Sequence, residues 1–251
     1  MRIGIIGGTG VYQLGDSAVA PVAVETPYGT ALLARVSLGD RELLFVPRHG
    51  SHHQIPPHRV NYRANVMALK QEGCRCVLAT NAVGSIRRDL PPGHLVLPDQ
   101  FLDFTRARPL TFYDGEDSGV RHVDVTEPYC PVLRDKTVQV VTGKGEPIEN
   151  GAVYVCTEGP RFETPAEIRM FKQLGGDLVG MTGVPEVVLA REAGLCYATI
   201  CVVTNYAAGI ADQPLTGGEV GELMSRRLPF LREVLVEVAR TLEEDWECSC
   251  P

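Results

Sequence analysis

Arg48-His49, Glu163 and Asn205 are the residues of this chain whose types best suit a chemical task. A guanidinium offers a planar fork of donors that matches two phosphate oxygens. An Asn amide offers one acceptor and one donor side by side, whereas a carboxylate only accepts. Glu163 with Asn205 therefore suits a heterocycle that carries an N–H next to an oxo group, as hypoxanthine and guanine do at N1 and C6. Adenine is the wrong partner, because its N1 is bare and its 6-substituent donates.

The elements around these residues put them where ligands bind. Residues 2–6 form a short apolar strand that runs into Gly7-Gly8-Thr9-Gly10, a turn able to present backbone N–H groups to an anion. A dinucleotide fingerprint would need a third small residue, and Val11-Tyr12-Gln13 follows instead. Arg48-His49 ends a second strand, 43–47, at the edge where open α/β sheets place ligands. His52, His53 and His58 come just after it, without an acidic or Cys partner at ligand spacing, so no metal is expected there. Glu163 lies between a strand, 152–157, and Thr164-Pro165-Ala166-Glu167, which has the N-cap, the Pro at N1 and the Glu at N3 of a capping box. Met181-Thr182 again joins a strand to a helix, and Thr204-Asn205 follows the most apolar strand, 196–203.

The rest of the chain keeps the alternation. Helical spacing covers 58–72, 185–193 and a last helix opened by Thr216-Gly217-Gly218-Glu219. Strands are expected at 75–80, 94–98 and 178–181, with a loop at 81–85. From about 103 to 150 the pattern weakens, and long loops with one short helix or strand are expected. No repeat, low-complexity tract or linker interrupts this, so residues 1–251 are expected to form a single α/β domain, a central mixed β-sheet flanked by helices.

Composition removes several function classes. A formal net charge of −7 argues against binding nucleic acid or anionic membranes. No apolar run approaches the length of a membrane span. The first residues lack a charged segment followed by a long apolar one, so a cytoplasmic protein is expected. Eight cysteines in 251 residues are too sparse for a disulfide scaffold, and neither Cys74-x-Cys76 nor Cys248-x-Cys250 has the spacing of a structural zinc site. No metal and no organic cofactor are expected.

Taken together, IGGTG, PRHG with VNYRAN, LATNAVGSI, DQFLDFTRARPLTFYDG, EGPRFET, GMTGVPEVVLAREAGLCYA and VVTNYAAG resemble the methylthioadenosine phosphorylase branch of the trimeric purine nucleoside phosphorylases, in collinear order over nearly the whole chain. The resemblance implies a homotrimer or a hexamer built as a dimer of trimers, with inorganic phosphate as co-substrate. Thr9, Arg48, His49, Asn81, Ala82 and Thr182 would ring the phosphate; Asn81 stands where many methylthioadenosine enzymes have Thr. Phe162 and Met181 would line base and ribose. His122 would reach the 5′ end of the sugar from a neighbouring subunit. Gly217, with Thr216 and Val220, would shape the 5′ pocket. In some thermophilic members a terminal Cys-x-Cys closes a small disulfide, which makes Cys248–Cys250 a candidate pair here. Cys130 with Cys196 or Cys201 is a further candidate, and free thiols are the alternative that a reducing cytosol favours.

The chain departs from the adenine-directed members where the base edge is read. They carry Thr-Asp-Tyr-Asp after the last strand, and this chain has Thr204-Asn205-Tyr206-Ala207. They have a small residue where this chain has Glu163. An Asn paired with a Glu is the pattern of the 6-oxopurine phosphorylases. The expected activity is phosphorolysis of inosine, guanosine or methylthioinosine, with Arg48, His49 and Asn205 closest to the chemistry and Glu163, Asn205, Ala207 and Gly217 setting specificity. Methylthioinosine phosphorylase and methylthioadenosine phosphorylase are the nearer alternatives. An NAD-dependent oxidoreductase or a non-catalytic nucleoside-binding protein is the alternative from another class.

Overall fold

The computed structural model describes residues 1–9, 21–50, 53–115, 118–211, 217–243, 245–248 and 250. Gly10 of the first turn, His52 and the Thr216 cap fall outside them.

One mixed sheet organises these residues. Its path starts with β2 (Val22–Thr26), β3 (Gly29–Leu38), β4 (Arg41–Pro47), β1 (Arg2–Gly7) and β5 (Cys74–Ser85). It continues through β10 (Leu178–Gly180), β9 (Val153–Thr157) and β7 (Gln100–Phe104). A branch leaves β5 through β11 (Cys196–Tyr206), β6 (Leu95–Leu97) and β8 (Ile148–Asn150). Strand alternation splits the apolar residues between two cores. Ile3, Ile5, Cys76, Leu78, Ile200 and Val202 face α2 (Pro131–Gly143) and α5 (Gly217–Thr241). Ile6, Val77, Ala79 and Val203 face α1 (Tyr62–Gln71) and α4 (Gly183–Glu192). Helix α3 (Pro165–Gln173) covers a smaller cluster through Ile168 and Phe171.

The expected single mixed sheet flanked by helices is present, with local corrections. The β2–β3 hairpin escaped the sequence reading. The helix placed at 58–72 is a 3-10 turn, Pro57–Arg59, followed by α1, because Asn61 restarts the backbone as N-cap and accepts from the Ala64 amide at 3.1 Å. The loop placed at 81–85 is strand, held by parallel pairing to β11 out to Tyr206↔Ser85. Within 103–150 the helix is α2, three and a half turns long rather than short, opened by Pro131 at N1. The Thr164 capping box forms in full, with Glu167 N to Thr164 Oγ1 at 3.2 Å and Thr164 N to Glu167 Oε2 at 2.7 Å.

Strand β5 changes partners along one edge, and that positions the site. Parallel β1 runs beside it as far as Ile6↔Ala79, and antiparallel β10 takes over at Val179↔Gly84. Thr80 to Val83 lie between the two. A gap between diverging strands is where α/β sheets open a ligand crevice.

Candidate active site

A cavity of about 390 Å³ opens at this change of partners, within the size range of small-molecule sites. Thr9, Arg48, His49, Ala82 and Thr182 line it, together with Phe162, Glu163, Met181, Asn205, Ala207 and Val220. The two halves expected from sequence, some 160 residues apart in the chain, thus face one space.

The Arg48 end is more constrained than its sequence suggests. The Arg48 side chain has no exposed surface. Its Nε donates to Glu186 Oε1, its Nη2 to Glu186 Oε2 at 2.7 Å, and its Nη1 to the Thr80 carbonyl at 2.8 Å. Tyr197 donates from its hydroxyl to Glu186 Oε2 at 2.9 Å. The nearby Glu186 carboxylate raises the Arg48 pKa against the cost of burial. Arg48 is therefore permanently charged and already paired, with one N–H left on each of Nη1 and Nη2. Glu186 carries no signal in the motif that holds it, except that it is the sole charge in GVPEVVLA. A buried carboxylate in an apolar run needs a partner.

Gly8 has to be glycine for this wall to close. A Cβ there would sit 2.3 Å from the Thr80 carbonyl oxygen and 2.8 Å from Arg48 Nη1. Its amide donates to Thr80 Oγ1 at 2.9 Å, so that N–H is spent on the strand and not offered to an anion. His49 Nδ1 lies 2.8 Å from the Ile55 carbonyl. A carbonyl only accepts, so Nδ1 carries the proton and Nε2 keeps its lone pair. Burial, with the Arg48 charge beside it, pulls the His49 pKa down to about 3. The ring is neutral at physiological pH.

Asn81 does not line the cavity. It lies 1% exposed behind Thr182, accepting from Thr182 Oγ1 at 2.8 Å and donating to Thr199 Oγ1 at 2.8 Å. That bond occupies the Thr182 hydroxyl proton, so the hydroxyl presents only lone pairs to the cavity.

At the other end, Glu163 is half-buried, and Thr157 Oγ1 donates to its Oε1 at 2.6 Å. Desolvation raises the Glu163 pKa, and the Thr157 hydrogen bond opposes the rise. Asn205 Oδ1 accepts from Thr204 Oγ1 at 2.8 Å, and Nδ2 donates to the Tyr206 carbonyl at 2.9 Å. These contacts fix the amide orientation and leave one lone pair and one N–H for a ligand. Ala207 is 3% exposed and fills the position beyond it. Phe162 is 41% exposed at the rim, a face on which a heterocycle can stack.

Arg108 was missed as a functional residue, although its motif was noted. Its Nη1 donates to the Met181 carbonyl and its Nη2 to the Glu158 carbonyl, both at 2.6 Å, with Thr157 O at 3.2 Å. One side chain so holds together the strand ends that carry Met181 and Glu163. His122 is exposed and absent from the cavity lining of the single chain. Gly217 begins α5, which sends Val220 to the cavity.

A strand-switch cavity with a paired Arg, a neutral His and an Asn–Glu edge belongs to an α/β enzyme of the nucleoside-handling kind, and comparison with known proteins agrees. The profile of the phosphorylase superfamily matches residues 2–240, and the chain belongs to that superfamily. A probable 6-oxopurine nucleoside phosphorylase of Moorella thermoacetica is 51% identical over 251 residues, covering 100% of this chain and 96% of the relative. A probable S-methyl-5′-thioinosine phosphorylase of Methanopyrus kandleri is also 51% identical, over 99% of this chain and 96% of the relative. Among solved structures, the methylthioadenosine phosphorylase of Schistosoma mansoni in complex with adenine aligns with a TM-score of 0.91 at 38% identity, covering 98% of this chain and 93% of that one.

Proposed function

We propose that the protein is a purine nucleoside phosphorylase for 6-oxopurines: nucleoside and inorganic phosphate exchange to free base and ribose 1-phosphate. One observation carries the reading. Glu163 and Asn205, an acceptor and an acceptor–donor pair held by Thr157 and Thr204, face the same cavity as Thr9, His49 and Thr182.

Phosphate sits below the sugar against the Thr9 hydroxyl and the Arg48 guanidinium, and accepts from the Thr182 hydroxyl only by displacing its bond to Asn81. A neutral His49 accepts at its Nε2 lone pair a hydrogen bond from the hydroxyl of monohydrogen phosphate, which turns the charged oxygens toward C1′. The C1′–N9 bond breaks with oxocarbenium character, stabilised by the phosphate charge in a site built before the reaction begins. As the C1′–N9 electron pair moves onto the base, N7 takes a proton from solvent. Asn205 accepts from that N7–H and donates to O6, so the base leaves neutral, while Glu163 accepts from N1–H. No step asks for a metal, an organic cofactor or a covalent nucleophile. The protein acts in the cytoplasm on free nucleosides, in purine salvage, as a homotrimer or a dimer of trimers, with no nucleic-acid or membrane partner. No helix among the described residues is long and apolar enough to cross a membrane.

The test is a panel of inosine, guanosine, methylthioinosine, adenosine and methylthioadenosine, each with and without phosphate. Phosphate-dependent release of hypoxanthine or guanine supports the reading. Base release without phosphate, or adenine released as fast as hypoxanthine, defeats it.

A further inference from the structure

Four cysteines from three stretches of chain meet at a second cavity that shares no described lining residue with the first. Cys130 is the N-cap of α2, Cys196 opens β11, and Cys248 and Cys250 follow α5. Their sulfurs all lie within 4.8 Å of one another, and Cys196 and Cys248 touch, Sγ to Sγ at 3.0 Å. Among the described residues this is the one group of three or more His, Cys, Asp or Glu side chains that converges so closely. All eight cysteines are free thiols, the alternative to the candidate pairs Cys248–Cys250 and Cys130 with Cys196 or Cys201, and Cys201 stands apart from the group. The sequence reading dismissed zinc on the spacing of each Cys-x-Cys pair taken alone. Folding assembles the set from distant positions, which spacing within one motif cannot show.

The geometry suits a metal. Zinc–sulfur bonds of about 2.3 Å give a sulfur tetrahedron with edges of about 3.8 Å. All four sulfurs lie within 4.8 Å of one another, close to that edge, although the Cys196–Cys248 contact of 3.0 Å is shorter and would have to open around an ion. Two disulfides would instead draw the sulfurs into separate pairs at about 2.05 Å. Positive charge also lies near the group. Cys130 sits at the N-terminus of a 13-residue helix, whose unsatisfied amides favour negative charge. Lys70 and Arg75, with the acidic Glu247, line the shallow cavity onto which Cys196, Cys248 and Cys250 open. That opening gives an ion a way in, with Cys130, fully buried, at the inner side.

We propose that Cys130, Cys196, Cys248 and Cys250 bind one zinc ion as a tetrathiolate. The ion displaces four thiol protons, no sulfur is oxidised, and the site carries a net charge of −2 beside Lys70 and Arg75. With four protein ligands it has no open position and is structural, apart from the phosphorolysis chemistry. It fastens the end of the chain to the sheet. It adds to the ties that segment already has: Trp246 packs against the core that includes Leu242, and Arg75 Nη2 donates to the Trp246 carbonyl at 3.1 Å.

The experiment uses the full chain, produced in a reducing cytosol with zinc in the medium and purified anaerobically without chelator. Elemental analysis should find about one zinc per chain, released as four thiols are titrated with a mercurial. Cys248→Ser with Cys250→Ser should lower the metal at least ten-fold. Cys74→Ser, which alters the same shallow cavity but not the sulfur group, should leave it unchanged. Should the double variant fail to fold, cobalt exchanged into the wild-type chain gives the reading through intense thiolate-to-cobalt absorption with tetrahedral d–d bands. A wild-type chain that stays metal-free, or whose intact mass shows two disulfides, overturns the proposal. So does zinc that the folded double variant retains, or a cobalt spectrum without thiolate bands.

Discussion

Arg48 and Glu186 form a two-point ion pair in which both side chains are completely buried. The pair joins the end of β4 to the first turn of α4 across the floor of the cavity. Tyr197 and the Thr80 carbonyl complete its hydrogen bonding, which is the condition under which a buried pair is tolerated. The site therefore holds a cation in place at the cost of a carboxylate directly behind it.

The two partners should fail differently when removed. Glu186→Ala leaves an uncompensated buried guanidinium and should destabilise the protein by about 3–5 kcal/mol, seen as a lower urea midpoint and a lower Tm. Arg48→Ala exposes Glu186 to the same penalty and also removes the charge nearest the phosphate. It should raise the KM for phosphate and lower kcat, since that charge supports the transition state as well as binding. Retained phosphate kinetics in a folded Arg48→Ala protein would show that the pair is only structural.

His49 predicts an acid limb in stability. Its folded pKa is lowered to about 3 from an ordinary 6.5 by burial and by Arg48. Between those values the unfolded chain binds a proton that the folded chain refuses, so stability rises with pH across the window and is lost as pH falls through it. His49→Asn should flatten this limb. Urea midpoints measured from pH 4 to pH 8 should converge for the two proteins toward low pH. A constant offset at every pH would mean that His49 is not the group responsible.

Much of this site was legible in the sequence because strand ends announce themselves. Apolar runs stopping at Thr9, Arg48, Thr182 and Asn205 marked one edge of a sheet, and the Thr164 box fixed the turn that carries Glu163. The hidden parts are those whose partners lie far away in the chain. Glu186 and Arg108 act through neighbours that only folding supplies. Asn81 looked like a loop residue and is instead a strand residue buried behind Thr182. The four-cysteine group joins positions 130, 196, 248 and 250, which no local motif connects.

The assembly prediction rests on His122. It is exposed on the same stretch as Val120, an apolar side chain 76% exposed, and neither lines the cavity of the single chain. A neighbouring subunit that covers Val120 and supplies His122 to the 5′ end of the sugar would account for both. Light scattering should give a trimer or hexamer, and His122→Ala should raise the KM for nucleoside while leaving that for phosphate unchanged. A fully active 27.3 kDa monomer would refute it.

The base edge gives the sharpest test. With Glu163 ionised, adenine places a bare N1 against an acceptor and its 6-amino donor against the Asn205 donor. Buried mismatches of this kind can cost on the order of 10⁴-fold in kcat/KM, so inosine should exceed adenosine by a large factor at neutral pH. Desolvation raises the Glu163 pKa. As pH falls through that raised value the carboxyl gains a proton and becomes a donor, which suits the bare N1 of adenine and opposes the N1–H of hypoxanthine. The inosine-to-adenosine ratio of kcat/KM should therefore shrink on acidification. Thr157→Val removes the donor that favours the ionised form, so it should move the shrinkage to higher pH. Asn205→Asp with Ala207→Asp should shift preference toward 6-aminopurines, and adding Glu163→Ser should shift it further. Preference that stays flat with pH, and is untouched by Glu163→Ser, would mean that the base is read by some other group.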